Sequence, residues 1–133
     1  MGAKIIDLFA GAGGLSEGFK RCGFDVIAHV EMDKDAALTL KTREAYYYCK
    51  NHNMLNIYID YITKKMSREQ FYGHIPNTVL NTVINEEISN KTIKNIFNQI
   101  DTLLGNNQII GIIGGPPCQA YSIAGRSRMK DKM

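Results

Sequence analysis

The chain holds only three cysteines, Cys22, Cys49 and Cys118, in 133 residues. No two form a C-x-x-C pair, so their spacing supports neither a zinc site nor a disulfide framework. An odd number of scattered thiols fits a reducing compartment. Excess charge is scarce too. Lys plus Arg number 16 and Asp plus Glu 13, a formal net charge of +3. That surplus permits nucleic-acid binding without arguing for it. The N-terminal MGAKIIDLF lacks the long apolar core of a signal peptide. Ile6 stands where a myristoylation signal needs Ser or Thr. No apolar run reaches the length of a membrane span. The histidines His29, His52 and His74 show no ligand spacing, so no metal site is expected. Internal repeats and low-complexity linkers are absent from the sequence.

What is present is a globular composition, 44% hydrophobic and 22% charged, in a length suited to one domain. The first third alternates elements. Residues 4–9 (KIIDLF) read as a buried strand, and GAGG at 11–14 as a tight loop. A helical stretch with Leu15, Phe19 and Cys22 ends at Gly23, a residue able to take a left-handed cap. Residues 25–30 (DVIAHV) read as a second strand. A helix follows from Asp33 or Asp35 through Cys49. This βαβα order implies parallel strands. The fold class expected is therefore α/β, with a Rossmann-like parallel sheet.

The middle of the chain has few breakers. Ser67 with Gln70 forms a capping-box pattern, and Pro76 opens a short helical piece. Residues 82–89 are either the end of that helix or a third strand. Ser89 or Asn90 is the expected cap of a helix over 91–104. Its apolar face would hold Ile93, Ile96, Phe97, Ile100, Leu103 and Leu104. IIGII, 109–113, is the next buried strand. Cys22 and Cys49 are expected to be small buried hydrophobes. Tyr46, Tyr47 and Tyr48 would point in different directions from one helix, with at least one in the core. Lys64-Lys65 reads as a solvated face.

Two loops carry chemistry. In parallel sheets ligands sit where loops leave the carboxyl ends of strands. FAGAGG does this after the first strand, and the following helix offers free N–H groups to an anion. No Lys-Ser/Thr follows, so it is not a P-loop. Ser16 replaces the third glycine of G-x-G-x-x-G. Glu31 ends the second strand, at the place of a carboxylate that accepts ribose hydroxyls. Together these point to a nucleoside-containing cofactor. The second loop is GGPPCQAYS, 114–122. Pro116 and Pro117 stiffen it, and Gly114 and Gly115 allow a tight turn. Cys118 would be held at the same sheet edge, as a nucleophile must be. Arg126 or Arg128 would supply positive potential or meet phosphates.

DLFAGAGGLS (7–16), Glu31-Met32-Asp33 and GGPPCQAYS, in that order, resemble the DNA (cytosine-5)-methyltransferases. The resemblance is firm over 4–42 and 108–126. It implies an S-adenosylmethionine-dependent methyltransferase fold, here incomplete. It also implies that Phe9, Ala10, Gly11, Gly13, Gly14, Leu15 and Pro116 line the cofactor. Glu31 would hold its ribose and Met32 lie against its adenine. Cys118 would attack carbon 6 of a cytosine flipped out of double-stranded DNA. Gln119, Ser122 and Arg126 would contact that DNA. Where the family has an Asp-Ile-like pair for adenine, this chain has Asn85-Glu86-Glu87-Ile88. The family's later glutamate, arginine motif and sequence-reading region are not matched within the 133 residues. Residues 1–133 are thus expected to be the N-terminal part of a catalytic domain, with a variable, mostly helical segment over 43–107. A truncated or split enzyme is expected, inactive alone, with a complementary C-terminal chain or segment as partner and no membrane contact. A restriction–modification role in a prokaryotic or phage-like cytoplasm follows from the same resemblance. Two alternatives stay open: an RNA cytosine-5 methyltransferase, and a non-catalytic cofactor-binding or interaction subunit.

Overall fold

A computed structural model describes residues 2–115. Four parallel strands form one sheet in the order β3-β2-β1-β4. They are β1 (Lys4–Leu8), β2 (Asp25–Val30), β3 (Val83–Ile84) and β4 (Ile109–Ile113). The helices are α1 (Gly14–Arg21), α2 (Lys34–Asn51), α3 (Leu55–Ile62), α4 (Arg68–Gly73), α5 (Asn77–Leu80) and α6 (Ile93–Leu104). The strands are β-branched and apolar because both faces are covered at the sheet centre. Ile6, Ala28, Val30 and Ile84 pack against Ile96 and Ile100 of α6. Ala10, Ala37, Leu40 and Val83 form a separate cluster that includes α2. A third cluster, built on Ala45, Cys49, Phe71, Ile75 and Leu80, binds the short helices to α2. Each fully buried Leu, Ile or Phe side chain there contributes about 1.5–3 kcal/mol.

Local chemistry sets the element ends. Asp33 Oδ1 accepts a hydrogen bond from Ala36 N–H at 2.7 Å and caps α2. The Ser67–Gln70 capping box is formed in both directions, at 2.9 and 3.1 Å. Gly23 takes φ 91° after α1. Pro76 precedes α5 directly. Of the two readings of 82–89, the strand is the one formed, over Val83–Ile84.

Several expectations need correction. Cys22 is exposed, because α1 ends before it and only Ser16 of that helix is buried; Cys49 is buried as expected. The last helix starts at Ile93, with Thr92 rather than Ser89 or Asn90 at its cap. Ser89 N–H and Ser89 Oγ instead bond Thr92 Oγ1, at 3.0 Å each, in the turn before the helix. Phe97 is 51% exposed, since Ile96 and Ile100, with Leu103 beside them, are the residues that turn into the sheet. β4 is not a buried strand among the described residues. It pairs only with β1, and Ile110 and Ile112 are 67% and 60% exposed. None of the three consecutive tyrosines is fully buried. They do diverge: Tyr47 donates to Glu17, Tyr46 meets Tyr58, and Tyr48 stacks on His52.

Candidate nucleoside site at the strand tips

The glycine loop leaves β1 through Phe9, whose φ is 57°. That left-handed conformation is costly for an aromatic residue and is held only by its surroundings. Ala10 N–H donates to Val30 O at 3.0 Å, which fastens the loop to the tip of β2. Gly11 N–H donates to Glu31 Oε2 at 3.0 Å, a second tie. Gly13, at φ 94°, opens α1 without a side-chain cap. A Cβ there would lie 2.9 Å from Leu40 Cδ2 and 3.2 Å from Arg43 Cδ, so glycine lets α1 lie close to α2.

Glu31 is thus fixed at both oxygens, Oε1 accepting from Met32 N–H at 3.2 Å. Each oxygen keeps a free lone pair for a hydroxyl donor. Asn85 donates from one amide to Glu31 O at 2.9 Å and Met32 O at 3.0 Å. Sequence reasoning gave Asn85 no such role; its signal was its place just beyond the third strand. Phe9, Leu15 and Met32 are 40%, 47% and 63% exposed around these ties. Exposed large apolar side chains beside a fixed carboxylate and free helix N–H groups suit a nucleoside with an anionic tail.

The second loop begins beside the first. Asp7 is registered with Ile113, so β1 and β4 end together. A Cβ on Gly114 would lie 2.1 Å from Leu8 O. The described residues stop at Gly115. Pro116, Cys118, Gln119, Ser122 and Arg126 lie outside them.

Below the glycine loop is a buried polar group that the sequence did not reveal. Asp7 is fully buried, and among the described residues both its carboxyl oxygens lack a hydrogen-bond partner. His29 Nδ1, also without one, is 4.0 Å from Asp7 Oδ2. The other ring nitrogen meets Glu44 Oε1 at 2.9 Å, and Glu44 also binds Lys20. Burial disfavours ionisation of Glu44, yet His29 and Lys20 together hold its carboxyl below the ordinary value. Asp7 behaves oppositely. Burial, aided by the Glu31 charge and opposed by His29 and Ser16, raises it from 3.8 to about 6. Folded Asp7 therefore holds its proton more tightly than the unfolded chain does. The stability this contributes is complete below about pH 4 and is lost as pH rises through about 6. Asp7→Asn is expected to flatten that slope and to raise stability at pH 7.5 by up to about 3 kcal/mol. Urea denaturation from pH 4 to 8 measures it; equal slopes in both proteins would refute the assignment.

A parallel α/β sheet with a glycine loop, a strand-tip carboxylate and a second glycine loop at one edge defines a protein of the Rossmann-like class. Comparison with known proteins narrows the class. The model of the C-5 cytosine-specific DNA methylases matches residues 3–72 and 70–133, and the chain belongs to that family. It is 38% identical over 152 residues to the type II methyltransferase M.Bpa9945I of Bacillus paralicheniformis, covering 97% of this chain and 34% of the relative. It is 32% identical over 128 residues to the type II methyltransferase M.DdeI of Desulfomicrobium norvegicum, covering 96% and 21%. A crystal structure from E. coli, described as a prophage-encoded DNA modification methyltransferase, matches at 27% identity with a TM-score of 0.48, covering 96% of this chain and 26% of that one. The chain thus spans about a third of the length of M.Bpa9945I and about a fifth of M.DdeI. Among the described residues no helix is long and apolar enough to cross a membrane, and no cluster of His, Cys, Asp or Glu could hold a metal ion.

Proposed function

We propose that residues 1–133 form the N-terminal part of the catalytic domain of a DNA cytosine-5 methyltransferase of a restriction–modification system, with S-adenosylmethionine as cofactor. The observation that carries this reading is the common edge of β1 and β4, where the glycine loop tied to Glu31 begins beside Gly114. When bound, S-adenosylmethionine supplies an electrophilic methyl group. Phe9 and Met32 would pack against it, and Glu31 would hold its ribose hydroxyls. The backbone N–H groups opening α1, near Gly13, Gly14 and Leu15, would hold its carboxylate. Ala10 and Pro116 complete the wall. Gln119, Ser122 and Arg126 hold the DNA, whose target cytosine leaves the base stack.

Cys118 then acts as the nucleophile. Its thiolate bonds to carbon 6 of the base while ring N3 takes a proton from solvent, and the resulting enamine makes carbon 5 nucleophilic. After carbon 5 has accepted the methyl group, the donor being left as a neutral thioether, the carbon-5 and N3 protons are lost to solvent. The carbon–sulfur bond then breaks and the thiolate is restored. A completing segment, the counterpart of the relatives' remaining length, supplies base recognition. Among the described residues β4 pairs only with β1 and leaves Ile110 and Ile112 exposed, which favours such a partner. The compartment proposed is a prokaryotic cytoplasm.

Cofactor binding tests the first half of this reading. S-adenosylmethionine should bind the chain in isothermal titration, with or without a completing segment. Glu31→Ala should weaken it about ten- to hundredfold, the worth of a charge-assisted hydrogen bond. Binding indifferent to Glu31→Ala would count against the site.

A further inference from the structure

A cavity of about 520 Å³ lies outside the site described above, between α1, α2, α3 and α4. That is within the range of small-molecule sites. Its lining mixes cations, aromatic rings and hydroxyls: Arg43, Arg68, Tyr46, Tyr58, Tyr61 and Thr39. Its walls are fixed. Tyr61 stacks on the buried Phe71, with centroids 4.7 Å apart and planes at 9°. Tyr46 meets Tyr58 at 4.9 Å. Tyr72 OH donates to Leu38 O at 3.1 Å and lies 2.9 Å from Thr42 Oγ1, clamping α4 to α2.

Charge in the cavity is unevenly matched. Glu17 is shared by Arg21 at 3.2 Å, Arg43 at 3.5 Å and the Tyr47 hydroxyl. Arg68 has no acidic side chain within salt-bridge distance among the described residues. One guanidinium is therefore free and a second only loosely held, beside rings that are half-buried. Guanidinium groups take phosphate oxygens in paired hydrogen bonds, and tyrosine faces stack on bases. Thr39 and Asp35, also on the lining, suit sugar hydroxyls. Arg43 touches Gly13 as well, so one side chain separates this cavity from the glycine loop.

We propose that this cavity binds a nucleotide, with its phosphate on Arg68 and Arg43 and its base among Tyr46, Tyr58 and Tyr61. The occupant is distinct from the nucleoside at Glu31, and the inference does not depend on methyl transfer. Free nucleotide and a nucleotide within a DNA strand share this chemistry.

The test uses the uniformly isotope-labelled whole chain, followed by NMR of its backbone amides and tyrosine rings. Thymidine 5′-monophosphate is one probe and a ten-residue thymidine oligonucleotide the other. Saturable shifts of the Tyr58 and Tyr61 rings are expected with at least one probe. The tighter binder identifies the source. Arg68→Ala leaves the core untouched and should weaken binding about tenfold, and Arg43→Gln comparably. Lys94→Ala, on α6, should leave it unchanged. Affinity should fall as salt rises, as phosphate contacts require. Shifts confined to the glycine loop, Glu31 and Met32 would overturn the proposal, as would silence from both probes or binding unaffected by Arg68→Ala.

Discussion

Cys118→Ser, in the chain together with its completing segment, is expected to lower methyl transfer to DNA by about a thousandfold or more. Carbon 5 of cytosine is a weak nucleophile, and the attack at carbon 6 is what activates it. A thiol ionises near neutral pH when a cation lies close, whereas a serine hydroxyl does not. Serine is also nearly isosteric, so the loss would be one of nucleophilicity rather than of fold. S-adenosylmethionine affinity should be unchanged, because the ties of Glu31 and the glycine loop do not involve residue 118. Two measurements check this: transfer of a tritiated methyl group, and mass spectrometry for a covalent adduct with 5-fluorocytosine DNA. The adduct should form on Cys118 in the parent protein and be missing in the variant. Full turnover by the serine protein would remove covalent catalysis from the mechanism. Transfer to tRNA in preference to duplex DNA would favour the RNA alternative. Absence of any adduct with a complete partner would favour a binding subunit.

Gly114→Ala is expected to cost about 3 kcal/mol of stability, while Gly115→Ala should cost almost nothing. The two glycines are adjacent, yet their surroundings differ. A Cβ at 114 would stand 2.1 Å from Leu8 O and 3.0 Å from Leu8 C, both backbone atoms of β1. Neither can move without disturbing the β1–β4 ladder, whose last registered pair is Asp7 with Ile113. Among the described residues a Cβ at 115 meets nothing within 4 Å. Denaturant midpoints of the two variants give the difference directly. Equal midpoints would mean that the second loop does not leave the sheet against Leu8. The same substitution should also impair S-adenosylmethionine binding, since Leu8 runs directly into Phe9 and the glycine loop.

Short-range chemistry was readable in advance because it depends on neighbours in the chain. DVIAHV is a strand over Asp25–Val30 as read, the Ser67–Gln70 box caps its helix, and Glu31 stands at a strand tip. Exposure was harder to read. Cys22 and Phe97 carry apolar side chains at helical spacing, but which face of a short helix turns inward depends on its partners. Asn85 is an ordinary polar residue after a strand until the sheet brings it to the carbonyls of residues 31 and 32, more than fifty positions earlier.

The amino-acid order alone determined that this is a parallel α/β protein with a glycine loop and a strand-tip acid, since hydrophobic period and turn residues are local signals. The tertiary structure decided that β1 and β4 are neighbours, that buried Asp7 and His29 lie 4.0 Å apart, and that Arg43, Arg68 and three tyrosines surround one cavity. Those facts rest on contacts between residues far apart in the chain, and no local pattern encodes which distant side chains a fold will bring together.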